Sequence, residues 1–266
     1  MTFWDAIILA IVEGITEYLP ISSTGHMVIT NALLGIQRDP FAKAYIIIIQ
    51  FGAILSVVVL YWKRFFHFSH LNAALDFYGK LVLAFLPAAV VGVLLNDYID
   101  RLLGSPKMVA YALVAGGIFF LFTDKIFPNQ NHPDRPLTVR MALGIGIFQI
   151  LALFPGVSRA ASVIIGGLAH GLNRKQAAEF SFFLAVPTLM GASVFDLRDN
   201  MHLFSAQHFW LLLAGTVVSF VVAMLAIKAF ISYLARHGLM IFGWYRILVG
   251  GSILVLKKMG ISLTIV

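Results

Sequence analysis

Between residues 13 and 26 the chain sets Glu13, Thr16, Glu17, Ser22, Ser23, Thr24 and His26 into otherwise apolar sequence, with Gly14, Pro20 and Gly25 among them. Glu13 and Glu17 are one helical turn apart and share a face. In a poorly solvated place their repulsion is relieved by a cation or by one of them keeping a proton. Carboxylate oxygens suit Mg2+ or Ca2+, which also take phosphate oxygens, so Glu13 and Glu17 are the candidate metal ligands. Ser22, Ser23, Thr24 and Gly25 stand where a second short helix begins. A helix start there needs one capping hydroxyl, and its free N–H groups form an anion site suited to phosphate. His26 follows Ser23 by three residues, near enough to serve it as base or to serve a leaving group as acid. A second polar turn, Pro155-Gly156-Val157-Ser158-Arg159, lies between apolar runs at 142–154 and 160–169. Arg159 is permanently charged and matches phosphate oxygens in a fork. Its partner is expected to be Glu17 or a substrate phosphate.

These groups sit in a chain that has little other polar chemistry. Of 266 residues, 60% are hydrophobic and 12% charged, with a mean hydropathy of +0.92; soluble domains carry about 25% charged residues. The apolar runs are long and do not alternate, so an all-α polytopic membrane protein is expected rather than a barrel. A charge near the bilayer centre costs roughly 2.5–3.5 kcal/mol on insertion scales, which makes every intramembrane ionisable group a functional candidate. The start, Met-Thr-Phe-Trp-Asp, carries an acid where a signal peptide needs basic residues, so the first apolar segment is expected to remain. There is no cysteine, which excludes thiol nucleophiles and cysteine-ligated metals. The net charge of +7 fits anionic lipid, with lone Lys and Arg at helix ends setting topology; no nucleic-acid role is read from it.

Six apolar stretches are long enough to cross a bilayer: 43–62, 79–96, 108–126, 177–196, 208–231 and 239–257. Four more, 5–18, 24–35, 138–154 and 160–172, are short and come in pairs around the two polar turns. Such pairs predict re-entrant hairpins, whose irregular backbone is tolerable only against protein or a wet cavity. Both turns read Pro-x-x-Ser, and each hairpin leads to a span carrying a polar residue and Phe, Gln50-Phe51 and Glu179-Phe180. An odd number of spans separates the hairpins, which predicts an inverted repeat of halves 1–127 and 138–257 within one membrane domain, 1–266, with the broken helices meeting near mid-membrane. The turns 13–26 and 155–159 are then expected to share one pocket. Placing the loop 63–80 in the cytoplasm puts ten Lys and Arg inside (63, 64, 80, 125, 135, 140, 174, 175, 228 and 236) and seven outside (38, 43, 101, 107, 198, 257 and 258). Arg246, inside the last span, is expected to snorkel or to pair with Glu179. The segment 128–137, with Pro128, Pro133 and Pro136, reads as a loop.

The run Glu-Gly-Ile-Thr-Glu-Tyr-Leu-Pro-Ile-Ser-Ser-Thr-Gly-His, with Pro-Gly-Val-Ser-Arg and the Glu-Phe-Ser-Phe-Phe-Leu-Ala-Val-Pro of 179–187, resembles the undecaprenyl-pyrophosphate phosphatase family, also called bacitracin-resistance proteins, over nearly the whole chain. The resemblance implies removal of the terminal phosphate from undecaprenyl pyrophosphate, recycling the lipid carrier of cell-wall synthesis at the outer (periplasmic) face of the bacterial inner (plasma) membrane. It implies that Glu13, Glu17, His26 and Pro155 to Arg159 carry the family's motifs. At 160–163 this chain reads Ala-Ala-Ser-Val where the family usually has Ser-x-x-Thr, so that segment is left out of the catalytic set. The expected catalytic residues are Glu17, Ser23, His26 and Arg159, with Glu13, Ser22, Thr24, Gly25, Gly156 and Ser158 binding substrate. Ser23 is the first choice of nucleophile and direct attack by water the alternative. A transporter or flippase of a prenyl phosphate lipid is the rival reading, because inverted repeats with broken helices are transporter architecture. The partners expected are the lipid substrate and membrane lipids; a homodimer is one option among oligomeric states left open.

Overall fold

The computed structural model describes the chain except at residues 104, 128–131, 201–207, 235, 262 and 264–266. Every element among the described residues is helical. The first hairpin is α1 (Phe3–Thr16) and α2 (Ser23–Leu34). Then come α3 (Pro40–Leu60), the short α4 (Trp62–Phe66), α5 (Leu71–Leu94), α6 (Asn96–Leu103), α7 (Pro106–Leu121) and α8 (Thr123–Ile126). The second hairpin is α9 (Val139–Gln149), continued by a 3-10 turn at Ile150–Leu153, and α10 (Arg159–Ala169). It is followed by α11 (Arg174–Asn200), α12 (Phe209–Leu234) and α13 (Met240–Lys258).

Five helices are long and apolar enough to cross a membrane: α3, α5, α11 over Arg174–Val194, α12 and α13. Large side chains on them face outward, such as Val82, Val90, Trp210, Val217 and Leu248, as lipid contact requires. The chain is a multi-pass membrane protein. The expected span at 108–126 is the exception, since α7 has only 16 residues. Phe122 leaves the helix, its N–H bonding Phe119 O and Phe120 O, and the buried Thr123 hydroxyl donates to Phe120 O at 2.8 Å. The local 3-10 turn splits the run into α7 and α8.

The short helices are short because both ends are built to stop them. At the start of α1, Thr2 Oγ1 accepts from the Asp5 amide and Asp5 Oδ2 accepts from the Thr2 amide, a reciprocal cap. α2 and α10 end alike: Gly35 and Gly171 have φ of 70° and 80°, and the next amides, Ile36 and Leu172, reach back to Asn31 O and Gly167 O. This closing bond ties up carbonyls that a helix end would leave without partners in lipid. The two glycines stand at the same spacing from Ser22 and Ser158, which begin the same two helices.

Around the hairpins, α1 packs on α12 and α3, α9 on α5, α10 on α11, and α7 lies along α13. At the α7–α13 contact the α-carbons of Gly117 and Gly243 each face the other's carbonyl, so a Cβ on either would come within 2.8 Å of it. Small residues let helices approach in this way in a membrane. The largest core cluster gathers Tyr18, Ala53, Val57, Ile164, Phe182, Leu184 and Phe230 around the first turn. Of the expected loop 128–137, the part from 132 onward is non-helical and is pinned by Asn173 Nδ2, which donates to His132 O and to Asp134 Oδ1; 128–131 lie outside the described residues.

Candidate active site

The two polar turns meet. Arg159, at the first turn of α10, places Nη2 3.2 Å from Glu17 Oε1, just beyond the end of α1. Ser23, at the first turn of α2, donates its hydroxyl to the other carboxylate oxygen, Glu17 Oε2, at 2.7 Å. One carboxylate thus holds both the hydroxyl and the guanidinium, and the ion pair is almost wholly buried. The second arm of Arg159, Nη1, donates to Ser181 O at 2.7 Å and to Ser181 Oγ at 3.2 Å. Tyr18 forms the floor: its ring lies 5.7 Å from the guanidinium and packs edge-on against Phe182, while its hydroxyl donates to Ala53 O at 2.8 Å. These contacts fix the direction of Arg159 and leave Nε as a buried donor without a partner.

Both turns carry backbone strain at the same point. Ser22 (φ 68°) and Ser158 (φ 77°) are the two non-glycine residues with positive φ among those described. Such conformations cost of the order of 1–3 kcal/mol each and persist where the surrounding structure imposes them. Each serine also caps its helix, Ser22 Oγ accepting from Gly25 N at 3.4 Å and Ser158 Oγ from Ala161 N at 3.2 Å. Ser162, in the segment where the chain departs from the family pattern, donates to Ser158 O at 3.0 Å and serves the same cap. Gly156 has φ 92°, and a Cβ there would lie 2.4 Å from Val109 O, so both its conformation and its contact with α7 require glycine.

The other candidate residues are placed as follows. Glu13 is buried one turn below Glu17, with Oε1 lacking a protein partner. Thr24 is half-buried on the first turn of α2, and Gly25 is buried against Leu113 of α7. His26 lies beside the site but is engaged elsewhere. Its Nδ1 is 2.8 Å from Ser22 O, and since a carbonyl only accepts, Nδ1 carries the proton. Nε2 therefore presents its lone pair to the Tyr245 hydroxyl, 2.8 Å away, with the two rings stacked. The group on Ser23 is Glu17, not His26. Among the described residues no three His, Asp or Glu side chains gather into a metal-holding group.

Arg246 departs from its expected place. It neither snorkels nor pairs with Glu179, which has Lys175 at 3.9 Å. Instead it is fully buried and donates to backbone carbonyls of both polar turns. Four side chains around the site thus lay outside the expected set: Tyr18, which stands inside the 13–26 run, Ser181, Tyr245 and Arg246. Ser181 falls within the 179–187 stretch that carried the resemblance, and Arg246 was conspicuous as a charge within a span; nothing in the sequence marked Tyr245.

A helical membrane protein with a strained, buried Ser–carboxylate–Arg site at two helix starts is the class these observations define. The family of bacitracin resistance proteins, BacA, matches residues 6–252, and the chain belongs to it. It is 47% identical to an undecaprenyl-diphosphatase of Porphyromonas gingivalis and 48% identical to one of Flavobacterium johnsoniae, in both cases over the full length of each chain. An undecaprenyl-diphosphatase of Aquifex aeolicus is 44% identical over 94% of this chain and 96% of its own.

Proposed function

We infer that this chain is a membrane undecaprenyl-diphosphatase. It hydrolyses undecaprenyl pyrophosphate to undecaprenyl phosphate and inorganic phosphate, returning the lipid carrier to cell-wall synthesis and giving resistance to bacitracin. The observation that carries the reading is the single carboxylate of Glu17 bridging the Ser23 hydroxyl and the Arg159 guanidinium, in a chain that matches diphosphatases along its whole length. A transport site needs to hold and release an anion and has no use for a hydroxyl hydrogen-bonded to a carboxylate. The transporter alternative is set aside on that chemistry.

In this mechanism Ser23 Oγ attacks the terminal phosphorus while Glu17 Oε2 takes its proton. The bond from phosphorus to the bridging oxygen breaks, and undecaprenyl phosphate departs with that electron pair. Water then attacks the phosphoserine and gives a proton to His26 Nε2 as the Tyr245 hydroxyl turns off that lone pair; orthophosphate leaves, Ser23 is re-formed with the proton held by Glu17, and His26 returns its proton to solvent. Arg159 and the free amides at the starts of α2 and α10 neutralise the phosphate oxygens, which is most of what phosphoryl transfer asks of a protein. A divalent cation, Mg2+ or Ca2+, fits at Glu13 and Glu17. The unpartnered Glu13 Oε1 is the kind of hard oxygen donor such an ion takes, with Glu17 sharing its carboxylate. Bound there, it would supply further charge neutralisation for the pyrophosphate.

The finer architecture belongs to the same proposal. The two hairpins are re-entrant, the halves form an inverted repeat, and the site opens to the outer face of the plasma membrane. Support comes from the matching Ser caps and closing glycines, and from the exchange in which α1 packs on α12 of the second half while α9 packs on α5 of the first. The test is phosphate release from undecaprenyl pyrophosphate by purified protein in detergent, where no gradient exists. Release that depends on Glu17 and Ser23, with a phosphoserine trapped at Ser23, is the expected result; an inactive protein that still binds the lipid would overturn it.

A further inference from the structure

We propose that Arg246 is a positioning residue for phosphoryl transfer: one guanidinium that fixes the two polar turns against each other and aims the Ser158 amide at the substrate anion. The proposal rests on the assignment of the reaction to these turns. Arg246 lies on α13, has no exposure, and spends its donors on five backbone carbonyls. Nη1 donates to Pro20 O at 3.1 Å, in the first turn, and to Val157 O at 3.0 Å, in the second. Nη2 donates to Gly156 O at 3.0 Å and to Ala112 O at 3.2 Å, and Nε reaches Leu113 O at 3.4 Å. The acceptors come from both turns and from α7, and none is a carboxylate. An arginine kept only for stability in such a place would be expected to pair with an acid, since an uncompensated buried charge is costly.

The geometry of the peptide plane gives this clamp a chemical effect. A trans peptide points its carbonyl and its amide in opposite directions. With Val157 O held by Arg246, the Ser158 N–H on the same peptide is turned away from Arg246. Ser158 is the strained cap beside Arg159, and among the described residues its amide has no protein acceptor. The clamp thus fixes the plane of the Val157–Ser158 peptide and leaves a donor free beside Arg159. Its formal charge, unpaired in a low-dielectric interior, adds to the positive ends of α2 and α10. Space for it is set aside on α7, where a Cβ on Gly116 would lie 2.4 Å from Nη2.

The experiment compares Arg246→Lys with Gly250→Ala. Lysine keeps the charge but cannot span both turns. Gly250→Ala disturbs the same α7–α13 contact, where a Cβ would lie 2.8 Å from Ala110 O and 3.0 Å from Leu113 Cβ, without meeting the guanidinium or its acceptors on the two turns. For each variant we would measure kcat, KM, and the rise in unfolding temperature caused by methylene bisphosphonate, a non-hydrolysable pyrophosphate mimic. Arg246→Lys is expected to lose about 100-fold or more in kcat, as when a fixed donor to a developing oxyanion is removed, and to lose the bisphosphonate-induced rise. Gly250→Ala is expected to unfold at lower temperature and keep that rise. The proposal is overturned if Arg246→Lys stays within about threefold of the native kcat. It is also overturned if kcat falls while the rise is retained, the behaviour of a merely structural residue. Should Arg246→Lys fail to fold, Gly116→Ala displaces the guanidinium with its charge intact and is read by the same outcomes. An active Arg246→Lys beside an inactive Glu17→Gln would remove the clamp alone; an active Glu17→Gln would remove the site assignment itself.

Discussion

Replacing Glu17 by Gln removes one charge and little else, and the contacts of this side chain allow its two effects to be separated. In stability, the change breaks a buried ion pair and leaves Arg159 with Ser181 and the Glu17 backbone carbonyl, at 3.5 Å, as its remaining acceptors. Removing one partner of a buried pair costs about 3–5 kcal/mol. Gln keeps a carbonyl oxygen that can still accept from Arg159 or Ser23, so the cost is expected at or below about 3 kcal/mol. In catalysis, the amide cannot take the Ser23 proton. Loss of a general base costs about 10²–10⁴ in rate, or about 3–5 kcal/mol of activation free energy. The amide also turns an N–H toward a donor, so the upper part of that range is expected. The assay is orthophosphate release under saturating lipid, alongside thermal unfolding of the same preparation. Turnover within about tenfold of native in a folded Glu17→Gln protein would refute the reasoning and take the carboxylate out of the chemistry. Ser23→Ala sharpens the result: equal losses in the two variants place the attack on Ser23, whereas a mild Ser23→Ala beside a dead Glu17→Gln places it on water.

Arg159→Lys should remain folded yet lose about 100-fold or more in kcat/KM, because an ammonium cannot hold Glu17, Ser181 and a phosphate oxygen in one plane; near-native kinetics would reduce Arg159 to a source of field. Gly156→Ala should destabilise by about 1–3 kcal/mol or more through its φ of 92° and its contact with Val109 O, seen as a lowered unfolding temperature. Tyr245→Phe should lower kcat by about tenfold and alter the pH profile, since His26 Nε2 loses the hydroxyl that sets its environment; an unchanged profile would leave Tyr245 without a role. Chelation should abolish turnover and Mg2+ or Ca2+ restore it, with Glu13→Gln raising the concentration needed about tenfold or more; chelator-resistant turnover would remove the cation.

The residues that meet at the site were largely legible in the sequence, because lipid makes polar residues conspicuous. Glu17, Ser23 and Arg159 stood out as groups with no business in an apolar run, and the shared Pro-x-x-Ser pointed to their meeting. The pairing of Ser23 with Glu17 rather than His26 was not legible, since three-residue spacing says that two side chains are near but not which way each points. His26 turns to Ser22 O and Tyr245, a partner more than two hundred residues away. Positive φ at Ser22 and Ser158 has no signature in residue type, as glycine would be the usual marker. Arg246 was noticed for its charge, but its acceptors are backbone carbonyls, which sequence does not display. The span count slipped at α7 because apolar composition continues through Phe122, where the helix does not.

The exchange of packing between the halves bears on how the chain enters the membrane. α1, which carries Glu13 and Gly14, leans on α12, and a Cβ at Gly14 would lie 2.8 Å from Ser219 O. That neighbour is made about two hundred residues later. During synthesis the first turn therefore waits with its polar groups unburied, and it is closed only when Arg246, near the end of the chain, reaches Pro20 O. Contacts of such long sequence separation form late and slowly. A chain halted before α13 holds every atom of Glu17, Ser23 and Arg159 but lacks the guanidinium that ties their two turns together.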